Sequence, residues 1–198
     1  MTNDQRLDTL RAAIADLYRE EGRAEAIATA EALLAGRLAA EPQRPCPLDM
    51  LIRRTASTSD LPAARAVLAA QDLIPWGTNP VADRMSGEVA ASYAVSELLG
   101  PDGPIRAPDL RLGLFYQRPG CYYALHHHDA DETYVILAGC ADWTAGEDRR
   151  PRGPGEMIHH PSLMPHAFRT GPEGLLALWR WSGDINTHSY GFLPDPDA

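Results

Sequence analysis

The sequence predicts a mainly β protein, with a C-terminal β-barrel or sandwich over about residues 86–198 and a helical N-terminal extension over about residues 1–85. Three observations predict it. Apolar residues recur at helical spacing through the first forty positions and again after residue 59. From Leu110 onward they fall instead in short runs. Gly- and Pro-bearing turns separate those runs about every 8–12 residues, the rhythm of a sandwich or barrel.

In the first segment, Leu7, Leu10, Ile14, Leu17 and Tyr18 form one helical stripe with Asp, Arg and Glu between them, and Gly22 interrupts it. A second stripe, Ile27, Leu33, Leu34 and Leu38, follows in an Ala- and Glu-rich background. EPQRPCP must break the helix. A third helix is predicted from Ser59 or Asp60 to about Gln71, with a polar cap ahead of Pro62 in the first turn. IPWGTNP reads as a loop, and Val89–Leu99 reads as a strand. Leu110, Leu112, Leu114 and Tyr116 alternate with Arg111, Gly113 and Phe115, a period-2 strand. RPG then turns the chain. Cys121–His128, Glu132–Leu137, Cys140–Thr144, Met157–His160, Ala167–Thr170 and Leu175–Trp181 are the remaining strands, with AGEDRRPRGPG as a polar turn.

Composition narrows the function. Net charge is −9 with 18 Lys and Arg, scattered, which argues against nucleic acid or an anionic membrane surface as partner. No apolar run approaches membrane-spanning length, and MTNDQRLDTL lacks the features of a secretory signal, so a cytoplasmic location is expected. Cys46, Cys121 and Cys140 are odd in number and widely spaced, with no CxxC, which fits reduced thiols rather than disulfides or a zinc finger.

Six of the seven histidines lie between His126 and His166. On a strand, residues i and i+2 share a face. His126 and His128 therefore project together, as do Glu132 and Tyr134. Asp-Ala-Asp between them is long enough for a hairpin turn, which would aim two imidazoles, a carboxylate and a phenol at one space. Such a group suits a divalent transition metal, and a lone buried carboxylate would otherwise be costly. His166, after Gly155 and Pro161, supplies a further donor. His127 alternates outward. One of His159 and His160 lines the cavity, or both take supporting or surface roles.

HHHDADETYVILAG and GEMIHHPSLMPHAF resemble the two signature motifs of the cupin superfamily, and H-x-H-x-x-x-E-x-Y is similar to the cupin-type dimethylsulfoniopropionate (DMSP) lyases of the longer type. The similarity extends through SELLGPDGPI, RLGLFYQRPGCYYALHHH and the pair Trp179 and Trp181, about Ser96 to Ser182. The resemblance implies a double-stranded β-helix, or jelly-roll, barrel. It implies one divalent ion (Fe, Mn, Zn, Co or Ni) on His128, Glu132 and His166, with Tyr134 in some states and His126 as either ligand or pocket residue. It also implies β-elimination of DMSP to dimethyl sulfide and acrylate, with Tyr134 as general base. Aromatic faces attract a sulfonium. Tyr122, Tyr123, Trp179 and Trp181 are candidates, with Tyr123 and Trp181 favoured by the resemblance. Strict alternation would turn Tyr123 away from His126 unless the strand is bulged there. A cupin Fe(II) dioxygenase, a non-catalytic metal sensor and an isomerase are the competing functions; a helical zinc domain lacks ligands, since residues 1–85 contain no His and only Cys46. Monomer and homodimer both remain open.

Overall fold

The structure is a computed structural model describing residues 1–78 and 87–194. Helix α1 (Asn3–Glu21) starts at a capping box: the Thr2 hydroxyl accepts the Gln5 N–H (3.2 Å), while the Gln5 side chain accepts the Thr2 N–H (2.9 Å). It stops at Gly22, whose φ of 73° lies in the left-handed region glycine tolerates. The predicted stripe of Leu7, Leu10, Ile14 and Tyr18 is buried. Helix α2 (Ala24–Ala35) buries only Leu33 of the predicted stripe. Ala26, Thr29, Ala30 and Leu33 are buried, Ile27 and Leu34 face outward, and Leu38 lies past the helix end. Small side chains on the buried face let α2 lie close to α1.

Helix α3 (Asp49–Ala56) follows the proline-rich break and was not expected. It buries only Ile52, Thr55 and Ala56, too short a stripe to read, and is braced by Arg53 on Asp49 (2.9 Å). Helix α4 (Pro62–Ala70) matches the third predicted helix, with proline in the first turn. Its cap position is Leu61, with no side-chain cap, so neither Ser59 nor Asp60 caps it. The predicted boundary at residues 85 and 86 and the end of IPWGTNP fall at or within residues 79–86, outside the described residues. Where a strand from Val89 was expected, Gly87–Ala90 forms one helical turn (α5) and the strand begins at Tyr93.

Nine strands follow among the described residues: β1 (Tyr93–Gly100), β2 (Ile105–Arg106), β3 (Arg111–Gln117), β4 (Tyr122–His127), β5 (Ala130–Ala145), β6 (Asp148–Arg152), β7 (Met157–His160), β8 (His166–Gly183) and β9 (Gly191–Phe192). Two pairs of predicted strands are each one long strand. Glu132–Leu137 and Cys140–Thr144 both belong to β5, which bends through irregularities at Ile136/Ala138 and Gly139/Ala141. Ala167–Thr170 and Leu175–Trp181 both belong to β8. At the bend Gly139 has φ 74°, and a Cβ there would sit 2.0 Å from the Gly174 carbonyl oxygen. The polar stretch AGEDRRPRGPG is not all turn: its middle is the exposed strand β6, paired with β5.

Strand β8 organises the barrel. One edge pairs with β5 from Gly183 to His166. The other pairs with β3 over Leu175–Trp181 and with β4 over His166–Arg169. The hairpin expected between β4 and β5 therefore does not form. The corner groups it would need are used elsewhere. The His128 carbonyl accepts the Leu163 N–H (2.9 Å), the Asp129 N–H donates to Ser189 Oγ (3.0 Å), and Ala130 pairs with Gly183.

Two apolar clusters divide the molecule. One joins the helices to the outer face of the sheet, with Leu10, Ile14, Leu33, Ile52 and Val67 against Leu112, Leu114, Val135, Leu137, Leu176 and Leu178. The other lies inside the barrel and is mostly aromatic, including Phe115, Tyr123, Tyr134, Trp143, Phe168, Trp179 and Trp181. The leucine face of β3 thus meets the helices, while its Arg111 and Phe115 side lines the interior cavity. A leucine-rich sheet face of this size would be unstable in water, and the helices cover it. Among the described residues no helix is long and apolar enough to cross a membrane.

Candidate active site

His126, His128, Glu132 and Tyr134 all line one barrel cavity, and His166 abuts it. The ring nitrogens of His126, His128 and His166 can place one donor atom each within 4.8 Å of the others, all buried. In each ring Nδ1 faces a backbone carbonyl: Ala124 for His126 (2.8 Å), Ala130 for His128 (3.1 Å) and Met164 for His166 (2.9 Å). Each carbonyl fixes the proton on Nδ1 and leaves the Nε2 lone pair for the centre, the arrangement outer partners impose on metal-binding imidazoles. His166 Nε2 is buried with no hydrogen-bond partner.

Glu132 stands against them. Its Oε1 accepts the Trp181 indole N–H (2.7 Å), and Oε2 lies 3.1 Å from His166 Nε2 and 3.3 Å from His128 Nε2. Burial alone would raise this carboxyl, but the neighbouring rings, His128 first and then His160 and His166, hold it well below the usual range. A buried carboxylate facing imidazole lone pairs, with an orphaned Nε2 beside it, fits a divalent cation. His160 belongs to the same cluster but plays another part. Its Nε2 accepts the Trp143 indole N–H (3.0 Å), so its proton sits on Nδ1, 3.5 Å from Glu132 Oε2. It therefore has no lone pair turned to the centre, and its Nδ1–H lies beside the carboxylate without a hydrogen bond to it. His127 is half-buried outside the cavity lining, and His159 faces the outer side of β7.

The aromatic candidates separate. Trp179 and Trp181 both line the cavity, and Trp181 lies 4.4 Å from the His128 ring. Tyr123 is inside because β4 carries an extra residue: Tyr123 pairs with Phe168 and His126 with His166, three positions against two. Tyr122 is turned to the outer surface, where Arg169 lies over its ring (4.6 Å), which removes it from the cavity. Tyr190 was missed. It stacks on His126 (centroids 4.8 Å apart) and its hydroxyl meets that of Tyr123 (2.8 Å). It sits in a polar stretch without strand alternation, so no local pattern marks it. Arg111, paired with Glu97 (2.7 Å), also lines the cavity.

Tyr134 shares its β5 face with Glu132 and packs among Phe115, Trp143 and Phe168, its ring centre 6.0 Å from His160. Burial, reinforced by the Glu132 charge, pushes its phenol well above 10.

The acid side of the pH profile follows from the neutral imidazoles. Burial, with repulsion from His166, pushes His126 well below 6.5 and His160 down to about 3. The unfolded chain binds these protons near pH 6.5 and the folded one does not, so stability is complete above that pH and is lost as pH falls from about 6.5 toward about 3. Metal-free protein is expected to show a thermal midpoint that falls across this window. A flat midpoint between pH 7 and pH 4 would show that these rings are not held neutral.

The jelly-roll arrangement and this donor set define a cupin barrel with a site suited to a divalent metal. The sequence matches the model of the DMSP lyase family over residues 2–177, so the chain belongs to that family. It is 36% identical over 123 residues to DMSP lyase DddQ of Ruegeria pomeroyi, covering 62% of this chain and 61% of that protein. It is 33% identical over 103 residues to the DMSP lyase DddL of Cereibacter sphaeroides, named there as putative, covering 51% of this chain and 43% of that one. The aligned stretches thus span about three fifths of the first relative and under half of the second. The fold matches a solved structure described with the DMSP lyases RdDddP and RnDddQII (TM-score 0.76, 25% identity, 98% of this chain and 100% of that one). It also matches DddQ from Ruegeria pomeroyi DSS-3 (TM-score 0.65, 26% identity, 96% and 98%).

Proposed function

We propose that the protein cleaves DMSP to dimethyl sulfide and acrylate by β-elimination, at a divalent metal held by His126, His128, Glu132 and His166. The observation that carries this reading is the convergence of three outward-anchored imidazoles and a buried carboxylate with Tyr134 in one aromatic-walled cavity. A bound ion there would act as a Lewis acid on the substrate carboxylate and, by its charge, bring the Tyr134 phenol down from the high value that burial gives it. Tyr134 then takes the proton alpha to the carboxylate. The C–H electron pair becomes the Cα–Cβ double bond, the Cβ–S bond breaks, and dimethyl sulfide leaves with its electron pair; Tyr134 later returns the proton to solvent. Trp179, Trp181, Tyr123 and Tyr190 offer ring faces to the sulfonium, each worth roughly 0.5–2 kcal/mol. Tyr122 has no part in this.

The direct test is incubation of purified protein with DMSP, with headspace detection of dimethyl sulfide and chromatographic detection of acrylate, beside a chelator-treated control. Equal release from the metal-stripped sample would remove the metal from the mechanism. Oxygen uptake without acrylate would favour a dioxygenase.

A further inference from the structure

Three of the strands that carry residues of the candidate centre, β5, β7 and β8, have on their opposite face a residue tied to the turn between the first two helices. The register fixes this. On the cavity side, His160 of β7, Glu132 of β5 and Trp181 of β8 form one cross-strand row. One position along, on the outer side, His159, Thr133 and Arg180 form the matching row. Glu21 Oε1 accepts both the Thr133 hydroxyl (2.8 Å) and Arg180 Nη2 (2.8 Å). Arg180 also donates to Thr133 Oγ1 and to Ser182 Oγ, each at 3.0 Å, and lies over the Tyr18 ring (5.9 Å). Arg23 donates to both oxygens of Asp131 (3.2 and 3.3 Å), which in turn accepts His159 Nε2–H (2.8 Å).

Arg180 is fully buried and Glu21 nearly so. A buried ion pair is poor evidence of stabilisation, because desolvating both charges offsets their attraction; its better-attested use is to fix a register.

We infer that the Glu21–Gly22–Arg23 turn is a positioning element for the metal centre. It grips β5, β7 and β8 from outside and so holds Glu132, His160 and Trp181 in place within. The N-terminal helices thereby gain a role beyond covering the leucine face of the sheet. This inference rests on the metal-site reading above. None of these residues touches substrate or metal; they act through their neighbours on the strands.

Two variants test it. Glu21→Leu/Arg180→Met replaces the buried pair with apolar side chains, a change that buried pairs often tolerate in stability. Arg23→Ala removes a half-exposed contact and leaves the core untouched. The readouts are Co(II) affinity by chelator competition, the visible absorption of the Co(II) protein, and the thermal midpoint of the metal-free protein. Loss of outer support for metal ligands costs roughly 10–100-fold in affinity. About tenfold weaker Co(II) binding is expected for the double variant, with an altered absorption envelope and a metal-free midpoint near wild type; Arg23→Ala should shift affinity in the same direction by less. Wild-type affinity and spectrum in both variants would overturn the inference, and if the double variant fails to fold, an unchanged Arg23→Ala overturns it alone. A wild-type protein that takes up no Co(II) would instead sink the metal-site reading, and the inference with it.

Discussion

Tyr134→Phe is expected to lower kcat for DMSP cleavage by about 10²–10⁴-fold, the usual worth of a placed general base. Tyr134 is enclosed by Phe115, Trp143 and Phe168, so a phenyl ring fills the same space and the barrel interior keeps its packing. The hydroxyl is what changes. Metal content should stay at wild-type level, because the three imidazoles and Glu132 remain. Release of dimethyl sulfide under saturating DMSP, measured beside metal analysis of the same sample, separates the two roles considered for this residue. Full activity would remove Tyr134 as the base, whereas loss of metal together with activity would make it chiefly a ligand.

His166→Ala is expected to weaken metal binding by more than the roughly 10–100-fold that loss of an outer partner costs, since a donor itself is removed. Activity should fall with it. The metal-free protein should lose only a little stability. His166 Nε2 is a buried polar atom without a partner, and deleting it relieves a desolvation cost that offsets part of the lost packing. Competition against a chelator and thermal melts of metal-free samples would show both effects. Wild-type affinity in this variant would mean that the ion, if bound, sits elsewhere among the cavity side chains.

The sequence carried the site further than it carried the fold around it. The shared face of His126 with His128, and of Glu132 with Tyr134, follows from two-residue spacing, which survives whatever strand they pair with. The hairpin between β4 and β5 does not survive. Pairing is decided by distant partners, here Leu163, Gly183 and Ser189, and no local pattern names them. The breaks placed inside β5 and β8 came from reading glycine as a strand end, whereas Gly139 and Gly174 let two long strands bend past one another. Helix α1 was legible because its stripe is long and capped. Helix α3 was not, because eight residues with three buried carry too little periodicity. Tyr190 reaches the cavity by way of a polar segment, and His160 could be assigned its role only once Trp143 was seen to occupy its Nε2.

The extra residue in β4 between Tyr123 and His126 has a consequence for how the cavity wall can change over evolutionary time. A one-residue deletion at Ala124 or Leu125 would leave Tyr123 two positions before His126, in step with it on a regular strand. The Tyr123–Tyr190 hydroxyl contact would be kept, and Tyr122 would stay at the surface beside Arg169. A single codon lost there could thus straighten the strand without changing which phenol faces the imidazoles.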